Sequence, residues 1–299
     1  MPHTPVWLPR EQMLTFEEIR RVVSLLANMG IEKIRLTGGE PLVRRNIEKL
    51  VKMLAGVPRI RSISMTTNGF LLAEKAAALK SAGLSSVNVS LHSLKPERFS
   101  RTTGGGLLEN VLAGIEAAKQ NGFRPLKLNA VIIRGYNEDE IMDLASLARA
   151  GDLTLRFIEY MPFDGQQFWG TERLVSGREI IEQIRKRYEL ITLPREPGST
   201  AKSYRFTKGE GEIGLITSIT EPFCSDCDRI RLSADGKIVP CLFDTTGYDL
   251  KPLIRGDASD QMLSSFIRES FLHKAPGVET LLKKLKPLEH VRPMHTIGG

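Results

Sequence analysis

Two hydrophobic periods alternate along the first half of the chain. Apolar residues recur at helical spacing over residues 16–29, 46–54, 72–82 and 107–121, and Gly30, Gly56, Gly83 and Gly122 stand near the ends of these runs. That spacing predicts amphipathic helices, each stopped where glycine takes a helix-terminal backbone at little steric cost. Short β-type runs follow them at 33–37, 62–67, 86–91, 127–133 and 154–160. Nearly continuous apolar strands alternating with helices imply a parallel sheet covered by helices. Polar residues at the strand C-terminal ends suit a barrel or partial barrel whose site lies at that face.

The pattern breaks after Met161. Residues 194–203 (PREPGSTAKS) read as a linker or surface loop. Beyond them come short strands, a cysteine-bearing hairpin, a helical stretch near 259–273 and a tail ending Ile297-Gly298-Gly299. Two regions are expected, an α/β barrel region over 1–161 and a smaller region over 162–299. Hydrophobic residues at 41% and charged residues at 26% fit a soluble globular protein. No apolar run is long enough to span a bilayer and Met1 opens no secretory pattern, so a reducing cytoplasm is expected, with neither membrane nor DNA or RNA as partner.

Several polar positions are candidates for chemistry. The run TGGEP at 37–41 joins a strand to a helix; its glycines let the backbone approach a ligand, and Glu40 can accept from an ammonium, though a plain turn accounts for the same residues. Thr66 and Ser90 end successive strands. His92 follows as a ligand, a base or a hydrogen-bonding structural residue. Arg35 and Lys127 lie inside β-runs, where a cation is costly unless it meets a polar lumen, a charged ligand or an ion-pair partner.

The chain has three cysteines, Cys224, Cys227 and Cys241, spaced C-x₂-C-x₁₃-C. An odd, clustered set argues against a disulfide framework and for a metal or iron–sulfur centre. Zinc and iron–sulfur both remain open on spacing. His273, His290 and His295 are available as a fourth ligand, but none has the short spacing of a zinc knuckle. Three thiolates leave one position of a four-ligand site for substrate. Arg229 and Arg231 flank Ile230 just after Cys227 and project to one side if extended, suited to phosphate, to a purine edge or to compensating thiolate charge. With the net charge of +7, they favour an anionic partner such as a nucleotide.

These residues together resemble the GTP 3′,8-cyclase family, the radical S-adenosylmethionine enzymes of molybdenum cofactor biosynthesis. The resemblance runs through LPREQMLTFEEI, IRLTGGEPLVRR, TTNGFLL, AGLSSVNVSLHSL, RFIEYMPF, FCSDCDRIRLSADGKIVPCLF and the terminal Gly298-Gly299. It implies an incomplete (β/α)6 barrel with its first strand missing, closed by a C-terminal region. By the same resemblance Gly39, Ser90 and Met161 match positions that contact S-adenosylmethionine, and Arg35, Thr66 and Lys127 match positions that contact GTP. Cys224, Cys227 and Cys241 would hold a second 4Fe-4S cluster whose open iron binds the purine. Arg229, Ile230 and Arg231 would border the nucleotide, and Gly298 and Gly299 would insert toward the active site. The implied reaction converts GTP to (8S)-3′,8-cyclo-7,8-dihydroguanosine 5′-triphosphate. In the family a 5′-deoxyadenosyl radical takes the ribose 3′ hydrogen, and the ribose carbon attacks purine C8. A reducing electron donor is a further partner, and a homodimer is compatible with the reading.

One element of the family pattern is absent. The S-adenosylmethionine-cleaving 4Fe-4S cluster should be held by C-x₃-C-x₂-C near the N-terminus, whereas this sequence opens Met1-Pro2-His3-Thr4-Pro5 and holds no cysteine before Cys224. Two expectations follow. The native protein carries a further N-terminal segment and is an ordinary cyclase, which the retention of every other site feature favours; or the chain binds GTP and metal without starting radical chemistry.

Overall fold

The computed structural model describes residues 8–163, 169–244, 247–274 and 277–278. Its strands are β1 (Lys33–Leu36), β2 (Ser62–Thr67), β3 (Ser86–Ser90), β4 (Leu126–Ile132), β5 (Thr154–Glu159), β6 (Leu190–Thr192), β7 (Lys202–Phe206), β8 (Glu212–Ile216), β9 (Arg231–Leu232), β10 (Lys237–Val239) and β11 (Tyr248–Asp249). The helices are α1 (Phe16–Asn28), α2 (Ile47–Ala55), α3 (Leu72–Ser81), α4 (Pro96–Thr103), α5 (Leu108–Gln120), α6 (Ile141–Ala150), α7 (Gly177–Arg185), α8 (Lys251–Arg255) and α9 (Asp260–Leu272).

One sheet runs β1-β2-β3-β4-β5-β8-β7-β6. β1 to β5 and then β8 pair in parallel, and β7 and β6 continue antiparallel. The sheet thus crosses the boundary expected at residue 161. β8 is the element whose membership in the barrel the sequence conceals, because a hairpin rather than a helix precedes it.

The strands are not the uniformly apolar runs expected of them. β2, β4 and β5 alternate strictly: Ile63, Met65, Leu128, Leu155 and Phe157 are buried, while Ser64, Thr66, Lys127, Asn129 and Arg156 are half-exposed. Alternation at period two gives each strand an apolar face against the helices and a polar face toward the opposite side. The two faces make a hydrophobic shell around a polar lumen. β1 and β5 stand four strands apart, roughly 19 Å on a flat sheet at about 4.8 Å per strand. Arg35 on β1 nevertheless depresses the pKa of Arg156 on β5, so the sheet curls to bring them across one space.

Helix α1 joins this shell to the C-terminal region. Thr15 and Glu18 form a capping box, with Thr15 Oγ1 accepting from the Glu18 N–H at 3.1 Å and the Thr15 N–H donating to the Glu18 carboxylate at 2.7 Å. Val23 and Ala27 pack into the barrel core. Val22, Leu25 and Leu26 pack instead with Ile238, Leu263 and Ile267 from β10 and α9. A helix apolar on two faces must be covered on both sides, and that coverage places the β9–β11 sheet beside the barrel.

Candidate active site

The sheet register gathers polar side chains in rows on the lumen face. Thr66 pairs with Asn88, Asn88 with Lys127, Lys127 with Thr154 and Thr154 with Glu212. Nearer the strand C-terminal ends, Ser90 pairs with Asn129, Asn129 with Arg156 and Arg156 with Gly214. A Cβ on Gly214 would lie 3.0 Å from Arg156 Cγ, so the missing side chain gives Arg156 its room. Arg35 pairs with Ser64 and donates from Nε to its Oγ at 3.3 Å. Asn88 Nδ2 donates to Thr66 Oγ1 at 3.4 Å. Asn129 Oδ1 is buried and has no hydrogen-bond partner among the described residues, an acceptor suited to a ligand donor.

Arg35, Lys127, Arg156, Arg229 and Arg231 form a mutually repelling group. Burial is the main cause that pushes Lys127 down to about 8, and Arg156 and Arg35 add to it; Glu196 and Glu212 pull the other way. Burial, then Arg35, pushes Arg156 down to about 10. Arg35 is lowered by burial and by Arg229, and Arg231 by burial, Arg229 and Arg35. Arg35 is nonetheless exposed to solvent, so water screens its part of this cost. Like charges held this close are costly unless an anion joins them.

The cysteines lie at the edge of this group. A 3-10 turn, Cys224–Asp226, leads to Cys227, and the β9–β10 hairpin returns the chain to Cys241. Its register pairs Val239 with Arg231, and Cys241 and Arg229 each lie two residues beyond that last pair. Arg229 Nη2 donates to Cys227 Sγ at 3.2 Å and its guanidinium lies 5.0 Å over the Phe223 ring. Burial raises the Cys227 thiol, but Arg229 and the charge of Lys274 outweigh it and the net shift is downward. Burial, with Asp244 and Cys224, raises Cys241. All three thiols are free. Among the described residues no three His, Cys, Asp or Glu side chains are grouped to hold a single metal ion. His273 instead stacks on Tyr248, with ring centroids 6.1 Å apart, and His290, His295, Gly298 and Gly299 lie outside the described residues.

The strand-end residues divide. Gly39 is exposed in the turn after β1, and Gly38 beside it has φ +148°. The Glu40 carboxylate accepts from Leu42 N at 3.0 Å, Thr67 Oγ1 at 2.7 Å and Asn68 N at 2.6 Å, which holds the turn against β2 and leaves Oε2 one acceptor position. His92 is half-buried, its Nδ1 accepts from Val131 N at 3.1 Å, and its surroundings push its pKa down to about 4, which fits a neutral hydrogen-bonding residue. Met161 packs in a small cluster with Phe163, Phe243, Cys224 and Cys241, so the end of β5 touches the cysteine region directly. Ile230 turns its side chain into the C-terminal core, leaving its main chain between the two arginines.

Glu159, which lies in the RFIEYMPF run but carries no role in the sequence reading, ties these parts together. Its carboxylate is 1% exposed and accepts from Gly177 N at 3.0 Å, from Ile219 N and Thr220 N at 2.9 Å each, and from Thr220 Oγ1. It joins the end of β5 to the first turn of α7 and to the loop leading to Cys224. Glu159→Ala strands several buried donors at about 1–3 kcal/mol each. We expect it to lower unfolding stability by about 3 kcal/mol, read from the urea midpoint. Arg156 and Asn129 are the other residues that sequence reading passes over. Arg156 carries the signal that marks Arg35 and Lys127, a cation within a β-run.

Comparisons with known proteins bear on the family and the fold. Residues 3–148 match the model of the radical SAM superfamily and residues 153–280 that of the molybdenum cofactor synthesis C-terminal domain. The chain is 45% identical over 266 residues to the GTP 3′,8-cyclase of Acidothermus cellulolyticus, covering 88% of this chain and 74% of that one. It is 43% identical to the GTP 3′,8-cyclase of Pelotomaculum thermopropionicum, covering 98% and 89%. Human molybdenum cofactor biosynthesis protein 1 is 41% identical over 89% of this chain and 42% of its own length. Among solved structures, Streptococcus suis SuiB bound to precursor peptide SuiA superposes with a TM-score of 0.61 at 15% identity, over 95% of this chain and 69% of that one, a likeness of fold. By its sequence, the chain belongs to the GTP 3′,8-cyclase family of the radical SAM superfamily.

Proposed function

We propose that the chain acts on GTP as a GTP 3′,8-cyclase, in the first step of molybdenum cofactor biosynthesis. The observation that carries the reading is the convergence of Arg35, Lys127, Arg156, Arg229 and Arg231 beside three free thiols. The cations hold the triphosphate, with Thr66 beside them, and the cysteine edge takes the purine. Gly39, Ser90 and Met161 line the S-adenosylmethionine side. Cys224, Cys227 and Cys241 would hold a 4Fe-4S cluster, a Lewis-acidic iron centre for the purine. The donor set fits, with thiols unpaired and cationic donors beside Cys227. The residues of this chain bind the polyanion, orient its ribose in the lumen and exclude water through the apolar cluster at Met161.

The cluster that cleaves S-adenosylmethionine does not fit the residues present, since all three cysteines stand at 224–241. The alternative reading is a protein that binds GTP at one cluster without starting radical chemistry. Anaerobic reconstitution of the protein purified from its native source separates the two: about eight irons per protein with 5′-deoxyadenosine formed marks the full reaction, and about four with none marks the binding protein. Zinc without iron would sink both.

Lys127 adds a pH signature. Its folded pKa of about 8 lies below its ordinary 10.5, and a bound triphosphate would restore it. Binding therefore takes up a proton, and affinity falls as pH climbs from about 8 toward lysine's ordinary value. Calorimetry in buffers of different ionisation enthalpy should show uptake near pH 9 that vanishes near pH 6.5 and in Lys127→Met.

A further inference from the structure

Lys274 stands just beyond α9, and its ammonium meets three acceptors: Cys227 O at 2.5 Å, Arg229 O at 3.1 Å and Cys227 Sγ at 3.6 Å. An ammonium has three N–H donors, so this set uses all of them. A few residues on, Val278 N donates to Cys224 Sγ at 3.5 Å. Gly277 has φ +115° and passes so close that a Cβ on it would lie 2.8 Å from that sulfur. The segment leaving α9 thus bonds two of the three cysteines. α9 is a firm support for it, with Leu263 and Ile267 fully buried against α1. Arg229 also donates to Cys227, but it belongs to the face assigned to the nucleotide. Lys274 spends its other donors on main-chain carbonyls of the cysteine loop.

We propose that Lys274 is a positioning residue of the cysteine centre: it fixes the Cys227–Arg229 backbone, and its N–H···S bond to Cys227 raises the reduction potential of the cluster held there. The inference rests on the cluster reading given above. A cation and a hydrogen bond at a ligand sulfur stabilise the more negative, reduced cluster, so removing them moves the potential downward. The chain's cysteines all belong to this one centre, so no other cluster ligated by them contributes a signal.

The test is an EPR-monitored redox titration of the anaerobically reconstituted chain, comparing wild type with Lys274→Met and Lys274→Arg. The methionine variant should load iron and titrate at a lower potential, with the arginine variant nearer wild type. Iron retained by Lys274→Arg but lost by Lys274→Met at an unchanged unfolding midpoint would also support the role. A loaded Lys274→Met at the wild-type potential overturns it while leaving the cluster reading intact. Iron loss in both variants with lowered unfolding midpoints marks a merely structural strap and overturns it too. A wild-type chain that takes up no iron sinks the cluster reading itself, and this inference with it.

Discussion

Cys227→Ala will leave the anaerobically reconstituted chain with almost none of the roughly four irons expected of one cubane. Three thiolates are the minimum for a cluster with an open iron, and Cys227 is one of only three cysteines in the sequence. The consequence reaches beyond the lost ligand. Arg229 and Lys274 both donate to Cys227 Sγ, and Arg231 feels the charge of Cys227 and Cys241. Without the thiolate these cations repel one another with less compensation. Iron content by colorimetric assay and the visible charge-transfer absorption report the loss. The apo variant should melt close to the apo wild type, because the thiol is half-exposed and small. Iron near the wild-type level in Cys227→Ala would show that the centre does not depend on this cysteine.

Much of this architecture is written locally. The helix ends fall within about a residue of expectation for α1, α2, α3 and α5, because capping residues and terminal glycines are local signals. α6 and α7 are not among the expected helices, although Ile141, Leu144, Ala145 and Ala148 follow helical spacing and Ser176 and Glu179 form a capping box. α4 is not among them either, since Phe99 is its one buried residue. The cysteines, Arg35 and Lys127 stand out because their residue types conflict with an ordinary strand or hairpin. Glu159 and Lys274 do not. Their meaning lies in partners 60 and 47 positions away, Ile219 and Cys227, and no periodicity within a window records such contacts. The polar lumen was hidden for a related reason. β4 reads as apolar until Lys127 and Asn129 are seen to share one face with Arg156 and Ser90 from neighbouring strands.

Arg156→Met should weaken GTP binding by about 10- to 100-fold while making the empty protein more stable. The two effects share one cause. In the empty lumen Arg156 is half-buried, held down to about 10 by burial and by Arg35, and Arg156 in turn lowers Lys127. Removing it relieves that repulsion, and methionine fills the space left open over Gly214. In the complex the same guanidinium gives a charge-assisted hydrogen bond to phosphate, worth about 1.5–3 kcal/mol, which is the source of the affinity loss. Ligand that binds only the folded state raises its melting temperature with affinity. Wild type should therefore start lower and climb further with added GTP than Arg156→Met, so that the two melting curves converge or cross. Guanosine, lacking phosphates, should bind both proteins alike through the cysteine edge. A variant that loses stability and keeps full GTP affinity would place Arg156 in the fold's support rather than in the anion site, and the cation group would then have to be drawn without it.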